Sequence, residues 1–145
     1  MSSIQQVTKR YRWAGLAAGV LLLGACAQMP WGASGVTLSG EQEVPPVATR
    51  ATGSASITVA ADHAVSGKLT FSGMRAIAAH IHEGAPGKNG PVIIPLVMTS
   101  ETSYAVPAGA KLSDAQYAAY RKGDLYVNVH SEAHRGGEIR AQLRP

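Results

Sequence analysis

Five histidines are the residues of this sequence with the clearest capacity for chemistry, and two of them are closely spaced. His80 and His82 flank Ile81. Successive side chains of a β-strand point to opposite faces, so both imidazoles would lie on one face while Ile81 lies on the other. Two imidazoles on one face can bind a metal ion. The same spacing also describes a half-buried strand with two polar surface residues, so the pair alone leaves both interpretations open.

A second pair, His130 and His134, ends the most regularly alternating segment of the chain. In residues 124–130 a leucine and two valines occupy the odd positions, so His130 lies on the face opposite to them. If this strand neighbours the strand of His80 and His82, three imidazoles can meet. His134 lies in the glycine-rich turn that follows and is an additional candidate ligand.

Such a set predicts a mononuclear site for copper, with zinc as the other option. Imidazole nitrogens suit both metals, and the single cysteine, Cys26, leaves the folded domain without thiolate and without an internal disulfide. Ligating nitrogens should converge to roughly 3–4 Å, which allows bonds of about 2 Å, whereas rings splayed by about 8 Å or more would indicate structural histidines.

Two sequence patterns that could indicate an enzyme lack residues that the chemistry requires. Ser131 follows His130 directly, so the two side chains would point to opposite faces of a strand, and the sequence has no Gly-x-Ser-x-Gly turn. Residues 84–90 are rich in glycine and contain a lysine, but the spacing and the following β-like segment differ from a phosphate-binding loop. Neither a hydrolase triad nor a nucleotide site is therefore predicted.

The N-terminus has the order of features found in an export signal: a basic segment, an apolar run too short to span a membrane, and the sequence Leu23-Gly24-Ala25-Cys26. The last four residues resemble the bacterial lipobox. We predict a lipoprotein signal peptide at 1–25, a lipid on Cys26 and a tether at 26–35, with an ordinary secretory signal as the alternative. By the same resemblance, the protein faces the periplasm from the cell envelope, and Ala27 favours the outer membrane.

The charge balance excludes a nucleic-acid-binding role. Three of the 13 lysines and arginines lie in the signal, so ten oppose nine acidic residues in the remainder, a net charge of +1. No basic run remains and aromatic residues are few. The remaining length fits one domain, residues 36–145.

Short β-like segments separated by turn residues predict an all-β domain. Residues 54–59 and 64–71 alternate as the two strands of a hairpin. Residues 92–98 are apolar almost throughout, which indicates a strand that is buried on both sides or covered by another element. One short helix is predicted near 113–122, because Ser113 and Gln116 have the spacing of a capping box and Gly123 follows two basic residues.

Several segments together resemble the CHRD domain, a family named from chordin and widespread in exported bacterial proteins. They are residues 38–47, 79–84, 87–92, 123–131 and 136–140. The resemblance implies a Greek-key β-sandwich of the immunoglobulin-like or Cu,Zn superoxide dismutase-like kind.

The pattern is similar to Cu,Zn superoxide dismutase, in which a His-x-His strand pair and a late-strand histidine bind copper. By that analogy His80, His82 and His130 correspond to copper ligands, although the zinc loop, bridging histidine and disulfide have no counterpart. The leading hypothesis is therefore an envelope-anchored module that binds a single copper or zinc ion for copper handling or redox chemistry, with enzymatic activity left open and less favoured. The alternatives are a protein-interaction or adhesion module with structural histidines, and a superoxide dismutase-like enzyme.

Overall fold

The computed structural model describes residues 34–145. The predicted signal peptide, the lipid site at Cys26 and nearly all of the tether lie outside the described residues. Residues 34–145 form nine β-strands, one 3-10 turn at Gly40–Gln42 and one α-helix. The strands are β1 (Ser34–Ser39), β2 (Thr52–Val59), β3 (Val65–Ser72), β4 (Ala76–Glu83), β5 (Val92–Pro95), β6 (Val97–Ser100), β7 (Ser103–Ala105), β8 (Leu125–Ser131) and β9 (Ile139–Gln142), and the helix is α1 (Asp114–Lys122).

The nine strands form one antiparallel sheet in the order β5-β4-β8-β9-β1-β2-β3-β7-β6. The two outermost strands, β5 and β6, are joined by Leu96 alone, whose N–H donates to the Ala79 carbonyl. A single residue spans under about 4 Å, so the sheet must curl until its two edges meet around the core. The prediction of an all-β sandwich is confirmed. Within residues 34–145 no helix is long and apolar enough to cross a membrane.

The hairpin of β2 and β3 follows from its alternation. Thr52–Val59 pairs in full register with Val65–Ser72. The apolar residues of one parity, including Ala55, Ile57 and Leu69, are buried, while serine and threonine side chains face outward. This is the pairing that the sequence predicts.

Helix α1 directly precedes β8 in the chain. Ser113 accepts from the backbone N–H of Gln116, whose side chain accepts in turn from Ser113, and Gly123 ends the helix in the left-handed conformation. The predicted capping box and helix are confirmed. The Asp124 N–H donates to the Ala119 carbonyl, which fixes the start of the strand that carries His130.

The prediction for residues 92–98 is wrong. The segment divides into β5 and β6 at the two ends of the sheet order, and Val92, Val97 and Met98 are each about half exposed. Only Ile94 and Leu96 are buried. An edge strand has a neighbouring strand on one side only, so some of its apolar side chains stay exposed. The apolar composition of the segment does not show whether it forms an edge strand or a central one.

Candidate metal centre

The two histidine-bearing strands, β4 and β8, are neighbours in the sheet. His80 lies opposite Asn128, and His82 lies opposite Tyr126. Since side chains alternate, these residues and His130 share one face, while Ile81 and its counterparts in β8 are in the core. This is the adjacency that the sequence required for three imidazoles to meet.

The three imidazoles converge. His80 Nδ1 lies 3.0 Å from His130 Nε2. One nitrogen each of His80, His82 and His130 lies within 4.8 Å of the other two. Two nitrogens on opposite sides of a metal with bonds of about 2 Å are separated by about 4 Å, so a movement of less than about 1 Å would close the site. The arrangement is far from the splayed alternative.

Backbone carbonyls fix two of the rings. His82 Nδ1 lies 2.9 Å from the Gly90 carbonyl oxygen, and His130 Nδ1 lies 2.9 Å from that of Arg135. A carbonyl oxygen only accepts, so both Nδ1 atoms carry the hydrogen and both Nε2 atoms carry a lone pair. The lone pairs of these two rings that are available to a metal are therefore on His82 Nε2 and His130 Nε2, and His80 directs Nδ1 at His130 Nε2. Such hydrogen bonds orient metal-binding histidines and increase their basicity.

Glycine allows the carbonyl of residue 90 to reach His82. A Cβ on Gly90 would overlap the carbonyl oxygen of Glu83, so a larger residue would push this loop away from β4. The glycine-rich composition of residues 84–90 gave no sign that the Gly90 carbonyl holds a candidate ligand.

Burial lowers the pKa of all three imidazoles. For His80 burial is the largest cause, followed by the positive charges that His130 and His82 would carry, and together they lower its pKa to about 4. Burial also lowers the pKa of His82 and of His130, against the opposing effect of their carbonyl hydrogen bonds. The rings are therefore neutral at pH 7, the form that binds metals.

The face of β8 that carries His130 is not solvent-exposed. All seven residues of the strand are buried. The Tyr126 ring stacks on His82, with centroids 4.7 Å apart and planes 7° apart, and the Arg140 guanidinium lies 3.4 Å from the centre of the Tyr126 ring. Arg140 also donates to the Lys88 carbonyl at 2.9 Å. This cation braces the wall of the site, a role that the sequence did not indicate.

The fourth predicted ligand lies apart from this group. His134 is half-buried in the turn after β8, where its backbone N–H donates to Ser131 Oγ at 3.1 Å. Within residues 34–145, the group of side chains that could hold a metal consists of His80, His82 and His130. A role for His134 stays a prediction.

Two further polar residues beside the site were not predicted. Glu43 is 5% exposed and Asn128 is 1% exposed. The Asn128 side chain interacts with both Glu43 and His82. Glu43 lies in a segment without periodicity, and Asn128 occupies a position that the alternation of β8 assigned to the outward face.

A family model described as the CHRD domain matches residues 35–143, about three quarters of the chain. Comparison with curated proteins and with solved structures found no match.

Proposed function

The chain belongs to the CHRD-domain family, and we propose that it binds a single copper ion through the imidazoles of His80, His82 and His130. The observation that carries this proposal is the convergence of three neutral nitrogen donors. Two of them have their tautomer fixed by a carbonyl, and His82 Nε2 is buried without a hydrogen-bond partner among residues 34–145.

The donor set favours copper over harder cations. Imidazole nitrogen suits copper and zinc, while magnesium and calcium take oxygen ligands, and the group contains no carboxylate among the described residues. Three protein ligands leave a coordination position for a small molecule, another ligand or His134. Copper so held would supply one-electron chemistry or could be passed to another site. Zinc remains the second option.

Each side chain has a distinct part in such a site. His82 and His130 are buried and held by carbonyls, so they would form its rigid inner side. His80 is half-buried and has the ring most open to solvent, so an ion would enter beside it. In the absence of metal His80 Nδ1 donates to His130 Nε2, and binding would require His80 to move its proton to Nε2.

The hydrogen bond between His80 and His130 is also the observation that favours the rival function, an extracytoplasmic interaction module with structural histidines. A superoxide dismutase-like enzyme is the third candidate. Such an enzyme would need superoxide, an anion, to reach the metal. Arg140 is buried against Tyr126 and the 84–91 loop, so its positive charge is not exposed to attract that anion.

We propose that the module acts at the bacterial cell envelope. A lipid on Cys26 would anchor it, and residues 26–35 would hold the domain in the periplasm. Copper handling or tolerance is the role that we propose for a nitrogen-ligand site anchored there.

Metal analysis of the protein prepared from its native envelope, followed by copper titration of the stripped protein, tests the proposal. We expect about one copper per chain and an affinity for copper well above that for zinc. The double variant His80→Ala/His82→Ala should lose at least about 100-fold in affinity, since it removes two ligands.

The control is His63→Asn, which removes a histidine that stacks on Tyr117 outside the site. Asparagine tolerates the positive φ of 69° at this position. Absence of stoichiometric copper in wild type, or unchanged uptake in the double variant, would refute the proposal. Copper-loaded protein that accelerates superoxide decay would favour the enzyme.

A further inference from the structure

Three buried polar atoms beside the candidate metal centre have no hydrogen-bond partner within the described part of the chain. They are Glu43 Oε1, Asn128 Oδ1 and His82 Nε2. Buried polar atoms are nearly always paired, so three in one place need an explanation. The three side chains form a row in space, because Asn128 interacts with Glu43 on one side and with His82 on the other.

The position of Glu43 is built into the fold. The Gly40 carbonyl accepts from the N–H groups of both Glu43 and Val47, and Asn89 donates to the Val44 carbonyl at 2.8 Å. These bonds hold the segment over the outward face of β8. A Cβ on Gly137 would collide with Glu43 Oε1 and with Asn128 Nδ2, so these two atoms lie side by side above this glycine.

The orientation of the Asn128 amide decides which atoms can pair. Its nitrogen lies beside Glu43, so its oxygen is the amide atom left for the His82 side. His82 Nε2 carries a lone pair because Nδ1 donates to Gly90. Two acceptors therefore face each other, an arrangement that suits a state in which a metal takes the lone pair of His82. Rotating the amide by about 180° would instead let Asn128 donate to His82 Nε2.

We propose that Asn128 is a two-position amide that couples metal binding at His82 to a proton on Glu43. Without metal, Asn128 Nδ2 donates to His82 Nε2, and protonated Glu43 donates to Asn128 Oδ1. With metal bound, the amide turns, Nδ2 donates to the Glu43 carboxylate, and the carboxyl proton leaves to solvent. Glu43 lines an open cavity of about 450 Å³ with Gln42 and Gln142, which gives this proton a path. This inference rests on the proposed function.

The surroundings of Glu43 allow its carboxyl group to be either protonated or ionised near neutral pH. Burial is the largest influence and raises its pKa to about 7, against the lowering effects of the Arg140 charge from β9, the Asn128 side chain and the Val44 backbone. Asn128 and Glu43 are positioning residues, because neither supplies a nitrogen to the metal.

Counting the protons released per copper bound tests the coupling. Glycine-complexed Cu(II) is titrated into the metal-stripped, full processed chain at pH 6.0 and pH 8.0, for wild type and Glu43→Gln. A glutamine can donate or accept in either amide position but has no proton to lose. The Glu43 pKa of about 7 belongs to the orientation in which Asn128 Nδ2 lies beside Glu43, and turning Oδ1 toward Glu43 raises that pKa further. Wild type should therefore release a fraction of a proton more per copper than Glu43→Gln. The excess should be larger at pH 8.0 than at pH 6.0, because at pH 6.0 a carboxyl with a pKa of about 7 keeps about nine tenths of its proton in either orientation.

Two further variants make the comparison specific. Glu41→Gln removes an exposed carboxylate two residues away and should release protons like wild type. Asn128→Leu keeps a similar shape without the amide and should lose the extra proton while still binding one copper. It therefore gives the same comparison if Glu43→Gln fails to fold.

The outcomes separate the two proposals. One copper per wild-type chain with equal proton release in wild type and Glu43→Gln would overturn the coupling and leave the metal site standing. Failure of wild type to bind copper would refute the proposed function, and the coupling with it.

Discussion

Acid should destabilise the metal-free protein through His80, and replacing that residue isolates the effect. Burial and the neighbouring rings lower its pKa to about 4 from an ordinary 6.5. Between these values the unfolded chain takes up a proton that the folded protein excludes. The free energy of unfolding should therefore be unaffected by His80 above pH 6.5 and should fall as the pH decreases from 6.5 to 4.

The size of the effect follows from the pKa difference. Each pKa unit corresponds to about 1.4 kcal/mol, so a difference of about 2.5 units sets an upper limit of roughly 3.4 kcal/mol. The His80 ring reaches solvent, and screening reduces the expected value to about 1.5 kcal/mol. Because glutamine does not titrate, His80→Gln should gain about that much stability relative to wild type between pH 7 and pH 4.

Glu43 contributes with the opposite sign. Its pKa is raised from 4.5 to about 7, so the folded protein keeps a proton that the unfolded chain releases. The stability due to this carboxyl is fully present below pH 4.5 and is lost as the pH rises to 7. In wild type the effects of His80 and Glu43 on the free energy of unfolding change with pH in opposite directions. The comparison of each variant with wild type separates them. Relative to wild type, Glu43→Gln should gain stability as the pH rises.

Urea unfolding in a chelator at several values between pH 4 and pH 7.5 measures these differences. Circular dichroism is the suitable probe, because Trp13 and Trp31, the two tryptophans, both precede residue 34. His63→Asn controls for the loss of a histidine elsewhere. If the curve of His80→Gln ran parallel to wild type within about 0.5 kcal/mol over this range, the explanation by a buried neutral imidazole would be wrong.

Three further predictions concern the surroundings of the site and the anchor. Gly90→Ala should lower copper affinity by about 10- to 100-fold in a copper titration, because the new Cβ overlaps the Glu83 carbonyl and displaces the carbonyl that orients His82. Tyr126→Leu should cost about 2 kcal/mol in urea unfolding, since it leaves a gap in a buried stack; a loss below about 0.5 kcal/mol would contradict this packing. Cys26→Ser should move the protein from the membrane fraction to the soluble fraction on cell fractionation, and unchanged membrane association would argue against a lipid anchor.

Local patterns were sufficient to predict β8, which carries His130, and the helix that precedes it. Alternation in residues 124–130 gave the face of His130, and the Ser113 capping box gave the helix. The pairing of β4 with β8 joins residues about 50 positions apart, and a strand's own sequence does not specify which neighbour it takes. The meeting of the three imidazoles was therefore conditional until the sheet order was known.

The covering of β8 could not be predicted from its own sequence. Alternation assigned Tyr126 and Asn128 to the outward face, and they do point away from the core, yet both are buried. The segments around Glu43 and Asn89 cover them. These segments have irregular backbones, so their sequences have no periodicity from which the covering could be predicted. The same segments supply Gly90 and Glu43, so the second layer of the site came only from tertiary structure.

The pattern of paired and unpaired nitrogens differs from the one expected of a purely structural histidine cluster. A structural histidine gains most when both ring nitrogens are hydrogen-bonded, because an unpaired buried acceptor costs about 1–3 kcal/mol. His130 meets that condition through Arg135 and His80, but His82 has Nε2 buried without a partner in the described part of the chain. This cost is offset if a metal takes the lone pair, or if Asn128 turns to donate to it. The same atom therefore motivates both the proposed metal site and the amide coupled to it.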